Sequence, residues 1–371
     1  MTTRTTPPAA AGSIRDSCDF SLEVFRQSDQ VGFGQRSVSE SLLEPLREQV
    51  LFEGQRRGAL GPDACTSMVR HEPLFEPGQT SEIRGVRFSV GHGADELSRE
   101  FDTGVFQPLA DKMALELISQ KQLETGADLR VRVFAKCRSE PRQRDANVRL
   151  QRQPLPFSNG RLDHLLAVAT AVEPIRRNDY PVFVTENVLE QAHDIVWQRN
   201  NERGVWLAGN LYRQTEPQPE IFCLIHTLFE ARGTTHERFS IDFTTETFTH
   251  AQQQLSLRQR RLGHPQDLLL GFYHTHPFLP SILDGKEACP GCPHRADCTL
   301  TSSFFSQRDR LFHNAMFGAA PYAVEFVMGL TPREEFDLKM FSCDGSQFRE
   351  RGFYLVKDVP DSITTSRNLV R

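Results

Sequence analysis

The chain has 371 residues, of which 38% are hydrophobic and 25% charged, with a formal net charge of -5. That length exceeds one ordinary core and predicts two domains, and the composition excludes a chain too polar to fold. The acidic balance speaks against a general nucleic-acid binder, and no run reaches the ~18 consecutive apolar residues that span a bilayer.

The opening MTTRTTPPAAAGS lacks the apolar stretch of a secretory signal. Residues 1–17 are therefore expected to be a disordered lead-in to a cytoplasmic protein. The stretch from Ser37 to Arg56 has helical spacing at Leu42, Leu43, Leu46, Val50 and Leu51; Pro45 requires the helix to kink there or to begin close by. Ile83–Val90 (IRGVRFSV) alternates as a strand does. A helix is expected from Ala94 to about Lys121, offering Phe106, Leu109, Met113, Leu115 and Leu117 to a core. Asp128–Ala135 (DLRVRVFA) alternates again. Residues 18–150 thus read as a mixed α/β domain, and 151–178 as a linker.

From Tyr180 the pattern sharpens. PVFVT (181–185) is a strand, and Thr185 is placed to cap a helix with Val188, Leu189, Ala192, Ile195 and Val196 on one stripe. GVWLAGNL (204–211), IFCLIHTLF (221–229) and RFSIDF (238–243) follow as strands. Residues 245–261 read as a helix, whose basic run Arg258–Arg261 is a solvated face. LLLGFY (268–273) is a buried strand that delivers His274. The stretch YAVEFVMGL (322–330) is another buried strand, and 336–371 is expected to be an extension.

Three groups carry chemistry. In His274-Thr275-His276-Pro277 the two imidazoles fall on one face of a strand, where each can give a nitrogen to one zinc; two exposed histidines at a strand end is the plain alternative. In Ser306-Gln307-Arg308-Asp309 an aspartate opens a helix. The macrodipole favours it there in any case, but it can also complete a His₂Asp ligand set. Glu202 ends a helix-to-strand turn and is either a solvated charge or a general base above the metal.

Glu202 followed by GVWLAG, then a strand ending in HTHP, then SxxD opening a helix, resembles the JAMM/MPN+ (JAB-domain) zinc metalloprotease family over residues 179–335. The resemblance implies an α+β fold, an MPN-type mixed sheet flanked by helices. It implies that His274, His276 and Asp309 bind a catalytic Zn²⁺, that Glu202 is the base and that Ser306 hydrogen-bonds the oxyanion. It also implies a zinc isopeptidase or peptidase acting at the C-terminus of a ubiquitin-like protein, in deconjugation or precursor processing, in a setting that resembles prokaryotic conjugation systems. The alternative is an MPN-fold scaffold or a zinc-knuckle binding module. In this family HxHP and SxxD lie close together, whereas residues 278–305 intervene here. A second SxxD, Ser281 to Asp284, lies nearer; Asp309 is preferred because a helix and a buried strand follow it.

The insertion holds Cys289, Cys292 and Cys298, a CxxC knuckle with a third thiol. This suits a second, structural Zn²⁺ or an iron-sulfur cluster, with His294 or the distant Cys343 as fourth ligand, or else three unmetallated thiols. The eight cysteines are not spaced as a disulfide framework, and Cys65 and Cys137 are expected to be buried hydrophobes.

Overall fold

A computed structural model describes residues 18–91, 96–124, 126–137, 155–199, 201–237, 240–242, 244–261, 266–283, 286–318, 320–345, 347–360 and 363. The lead-in, most of the polar stretch 138–162 and Asp284 lie outside these residues. The chain divides into two units, one drawn from residues 1–54 and 63–154, the other from 55–62 and 155–371. The class is α+β, as expected, with helices set beside several sheets.

The first unit contains β1 (Cys18–Arg26), β2 (Gly32–Ser37), α1 (Glu44–Arg56), β3 (Arg70–Phe75), β4 (Ile83–Val90), β5 (Leu97–Asp102), α2 (Gln107–Ser119) and β6 (Leu129–Cys137). Its sheets run β2-β1-β6 and β3-β4-β5. Helix α1 starts beside Pro45, in its first turn, where a missing N–H costs nothing. The helix expected over 94–121 is shorter than its apolar spacing implied. Leu97–Asp102 pairs with β4 as a strand, because backbone pairing to an existing edge outweighs a weak local helical pattern. Phe106, Met113 and Leu117 are buried, while Leu115 faces outward. Cys18 and Cys137 stand opposite each other in the β1–β6 register and form a disulfide, correcting the reading of Cys137 as a free buried hydrophobe.

The second unit carries the candidate site. Its elements are β7 (Phe157–Asn159), α3 (Leu162–Leu166), β8 (Ala169–Val172), β9 (Val182–Thr185), α4 (Glu186–Val196), β10 (Gly204–Gln214), β11 (Glu220–Glu230), β12 (Thr235–Glu237), β13 (Ser240–Asp242), α5 (Thr245–Arg261), β14 (Leu268–Thr275), β15 (Ile282–Leu283), β16 (Lys286–Glu287), α6 (Gln307–Phe317), β17 (Val324–Leu330), β18 (Phe336–Asp344), β19 (Gln347–Arg351) and β20 (Phe353–Val356). One mixed sheet runs β19-β18-β17-β14-β10-β11-β9-β20-β8, with β7 also paired to β10. Two expectations are corrected here. Part of the supposed linker supplies β7, α3 and β8, and the supposed extension supplies β18, β19 and β20 to the same sheet. Short segments of this kind become strands by pairing with distant partners, which local periodicity does not register.

The centre of the sheet is β10, buried on both faces over nearly its whole length. Trp206 packs edge-on against Phe272 of β14 and near Phe312 and Phe317 of α6, tying that helix to the sheet. On α4, Val188, Ala192 and Val196 are buried and Ile195 is exposed, a narrower stripe than expected. Thr185 occupies the N-cap of α4, but its side chain makes no capping bond. In β14, Gly271 lies so near β17 that a Cβ there would meet the carbonyl oxygen of Val324 at 1.9 Å. The parallel β14–β17 pair is crossed over by α6, and this crossover brings the two histidines of β14 and the start of α6 to one end of the sheet.

Candidate metal centre

His274 lies at the end of β14, and His276 two residues later points to the same side. Both are 2% exposed. Continued pairing fixes the emerging chain: His276 N–H donates to the Met328 carbonyl at 2.8 Å. The ring of His276 is held as well. Its Nδ1 lies 2.7 Å from the Ser302 carbonyl, which can only accept, so Nδ1 carries the proton and Nε2 is left to face the cluster. Ser302 is itself fixed, since its Oγ accepts the Leu330 N–H at 2.7 Å.

Asp309 arrives on α6. Ser306 is the N-cap and Asp309 is the third helical residue, and together they form a capping box. The Asp309 N–H donates to Ser306 Oγ at 3.1 Å, and Asp309 Oδ2 accepts the Ser306 N–H at 2.7 Å. The helix-start role and the ligand role are therefore compatible. The cap holds the carboxylate by one oxygen, while Oδ1 lies 3.3 Å from His274 Nε2. His276 Nε2 is 3.7 Å from Asp309 Oδ2. Among the described residues, His274, His276 and Asp309 are the group whose ligand atoms all fall within 4.8 Å of one another.

These distances fit a cation. Two ligands about 2.0–2.1 Å from one tetrahedral zinc stand roughly 3.4 Å apart. The chemistry of His274 fits as well: its Nδ1 is buried without a hydrogen-bond partner, and its Nε2 has Asp309 Oδ1 at 3.3 Å. A buried imidazole in that condition is costly unless something else takes a lone pair. Burial lowers the His274 pKa, but Asp309 and Glu202 beside it outweigh that and hold it above its ordinary value. Burial and the neighbouring His274 push His276 down to about 4, so it is neutral and able to ligate. Burial works upward on Asp309, yet His274 and His276 keep it well below the usual carboxylate range.

Glu202 closes the group. It sits just before β10, where the Thr275 N–H donates to the Arg203 carbonyl at 3.0 Å and pins this turn beside the histidines. Its Oε1 is 3.9 Å from His276 Nε2, too far to share the same proton and close enough to face the same cation. At 4% exposure, burial raises its pKa to about 8, with His274 the largest opposing influence. Glu202, His274, Ser306 and Asp309 line one cavity together with Arg308, and Phe272 and Phe312 wall it. Half-exposed Phe304 packs against His276, with ring centroids 5.0 Å apart.

The structure gathers Glu202, His274, His276, Ser306 and Asp309; the insertion reaches His276 through Ser302 and Phe304, but its cysteines are not in the ligand group. Cys289 is buried with Leu279 and Leu330, Cys292 is exposed, and Cys298 is half-buried. As placed, Cys289, Cys292 and Cys298 form no ligand group with one another, with exposed His294 or with Cys343, whose Sγ donates to the Gly345 carbonyl.

One pair escaped the sequence reading. His313 Nδ1 lies 3.0 Å from Glu325 Oε1, and both side chains are buried between α6 and β17. The available signal was the single acid inside YAVEFVMGL and a histidine one turn beyond Asp309. Burial pushes Glu325 well above its ordinary 4.5 and lowers His313 to about 3. Because the folded state holds the Glu325 proton, its stabilising share is complete below about pH 4.5 and is lost as pH rises toward the folded pKa. Glu325→Gln is therefore expected to gain stability relative to wild type by about 1.4 kcal/mol per pH unit over that interval. Urea unfolding of both proteins from pH 4.5 to 7.5 measures it, and a constant difference would mean that Glu325 is ionised in the fold.

No family model and no curated protein matches the chain. Among solved structures, the chain is similar to the solution structure of protein DSY2949 from Desulfitobacterium hafniense. The likeness is at 14% identity over 48% of this chain and 96% of that one, with a TM-score of 0.30.

Proposed function

We propose that this chain is a metal-dependent hydrolase of amide bonds, a zinc isopeptidase or peptidase that cuts at the C-terminus of a ubiquitin-like protein. The grouping of His274, His276 and Asp309, with His274, Asp309 and a buried Glu202 lining one cavity, supports the hydrolase reading. The sequence resemblance supports the choice of substrate. His274 Nε2, His276 Nε2 and a carboxylate oxygen of Asp309 would hold the cation. When bound, it supplies Lewis acidity, polarising a carbonyl and making water more acidic.

The chain's own residues do the rest. Glu202 takes a proton from water and passes it to the leaving amine. A carboxylate with a pKa raised toward neutrality is suited to both directions of transfer, and a dication nearby would draw that pKa down again. Ser306 Oγ already accepts the Asp309 N–H, so its own O–H is the group that can donate to the oxyanion. Phe272 and Phe312 exclude water from one wall, which strengthens each of these interactions.

A second metal at Cys289, Cys292 and Cys298 belongs to the same proposal and requires the insertion to close around the ion. So does a cytoplasmic setting; the Cys18–Cys137 disulfide is the observation that weighs against it. No helix among the described residues is long and apolar enough to cross a membrane.

The test is a panel of ubiquitin-like proteins, each fused at its C-terminus to a short peptide, incubated with zinc-loaded protein. Cleavage at the fusion joint is expected, with loss on chelation and recovery on adding zinc. Protein that holds zinc through His274, His276 and Asp309 and cuts nothing in the panel would instead support the scaffold reading.

A further inference from the structure

Ser302 is fully buried on the arm by which the insertion returns to α6, and it grips two elements at once. Toward β17 it holds the last residue. The Ser302 N–H donates to the Leu330 carbonyl at 3.0 Å, and Ser302 Oγ accepts the Leu330 N–H at 2.7 Å. Just past β14 it holds His276 at two points. Its carbonyl accepts from His276 Nδ1 at 2.7 Å, and its hydroxyl donates to the His276 carbonyl at 3.2 Å. A glycine in β17 leaves room for this arm. A Cβ on Gly329 would meet the Ser302 carbonyl carbon at 2.5 Å and Ser302 Oγ at 2.6 Å, so a larger residue would lift the arm away. Next along, Ser303 Oγ donates to the Asp337 carboxylate of β18, and Arg295 Nε donates to the Pro332 carbonyl at 2.6 Å. Phe278 and Phe304 close on the His276 ring, with centroids 5.2 and 5.0 Å away.

A neutral imidazole carries its proton on either nitrogen, and only the bare nitrogen can take a cation. A carbonyl beside Nδ1 settles that choice for His276 before any ion arrives. His274 has no such partner at its Nδ1 among the described residues. Resting on the metal-hydrolase reading above, we propose that the returning arm of the insertion is part of the metal centre, with Ser302 as the positioning residue that presets the His276 tautomer and thereby sets metal affinity. A cation binding at Nε2 then has no proton to move between ring nitrogens and no turning ring to freeze, because the fold has done both. The insertion governs occupancy of the site although none of its cysteines is in the ligand group. Whatever draws Ser302 away from Leu330 weakens the hold on the cation. Linkage makes the effect mutual, so a bound cation fastens the arm by the same factor.

The experiment reads metal affinity and ring protonation separately and needs no substrate. The whole chain is prepared with nitrogen-15 histidine as wild type, Ser302→Ala, Ser302→Cys and Gly329→Ala. Competition with a chelating dye gives zinc affinity. Long-range nitrogen–proton spectra of the zinc-free proteins at neutral pH report which nitrogen of His276 holds the proton, and His276→Gln identifies its signals. Wild type is expected to show the proton on Nδ1. Ser302→Ala and Gly329→Ala release the arm, one by lost bonds and the other by an added methyl. Each should bind zinc about 10–100-fold more weakly and show His276 in mixed tautomers. Ser302→Cys keeps a weak donor and acceptor in place and should lie between. It also carries the test if the orphaned Leu330 N–H leaves Ser302→Ala too unstable to study. Weaker zinc binding with the wild-type tautomer intact would make Ser302 a loop anchor only. That result, wild-type affinity in the Ser302 variants, or a wild-type His276 protonated on Nε2 overturns the proposal and leaves the metal site standing. If wild type takes up no zinc through His274, His276 and Asp309, the metal-hydrolase reading itself fails and the proposal falls with it.

Discussion

Replacing Glu202 with glutamine is expected to lower turnover of a cleavable fusion by about 10²–10⁴-fold, the usual worth of a general acid–base group. Zinc content should stay at the wild-type value, because Glu202 is not among the three grouped ligands. The melting temperature should not fall. Glu202 is 4% exposed and its pKa is raised to about 8 by burial, so a neutral amide of the same shape avoids the desolvation cost of a carboxylate. Turnover by stopped assay, zinc by elemental analysis and thermal unfolding are measured on one preparation. Loss of zinc together with activity would make Glu202 a ligand and not a base.

The largest effect on stability is expected at Gly271. Its added methyl in Gly271→Ala would meet the Val324 carbonyl at 1.9 Å, with the backbone nitrogen of Val324 at 3.2 Å. No side chain can swing aside to relieve that contact, so β14 and β17 would have to separate. Forced overpacking costs about 1–3 kcal/mol when side chains can adjust, and this case belongs at or above roughly 3 kcal/mol. Urea unfolding gives the figure directly. Gly291→Ala is the control, since a Cβ there meets nothing within 4 Å, and a change within about 0.5 kcal/mol is expected. Gly271 lies three residues before His274 on the same β14–β17 pair, so zinc affinity should fall along with stability. If Gly271→Ala proves as harmless as Gly291→Ala, the tight β14–β17 approach is not the packing of the native sheet.

The candidate site was legible because its geometry is written in local spacing. Two histidines one residue apart share a face in any strand, and Ser306 and Asp309 make a capping box in any helix start. Choosing Asp309 over Asp284 rested on the helical run after it, and α6 is that helix. What local spacing does not record is pairing across the chain. Cys18 and Cys137 are joined only once β1 and β6 are set in register. Leu97–Asp102 becomes a strand because β4 offers it an edge. Residues 336–356 look like a tail until β17 and β9 recruit them. His313 and Glu325 were hidden for the opposite reason. Each sits in an apolar pattern that reads as core, and burial makes the polar pair consequential.

The parallel union of β14 with β17 also has a bearing on how the protein reaches its native state. Parallel neighbours cannot be joined by a tight hairpin; the whole of the insertion and α6 must be looped out before the two strands meet. Closing such a loop consumes chain entropy before any pairing offsets it, and topologies rich in distant pairings fold slowly. The histidines stand where that loop leaves β14, and the aspartate lies within it, at the start of α6. A cation therefore has no three-ligand nest to occupy early in folding, and would act as a late lock on a sheet that has already found its register.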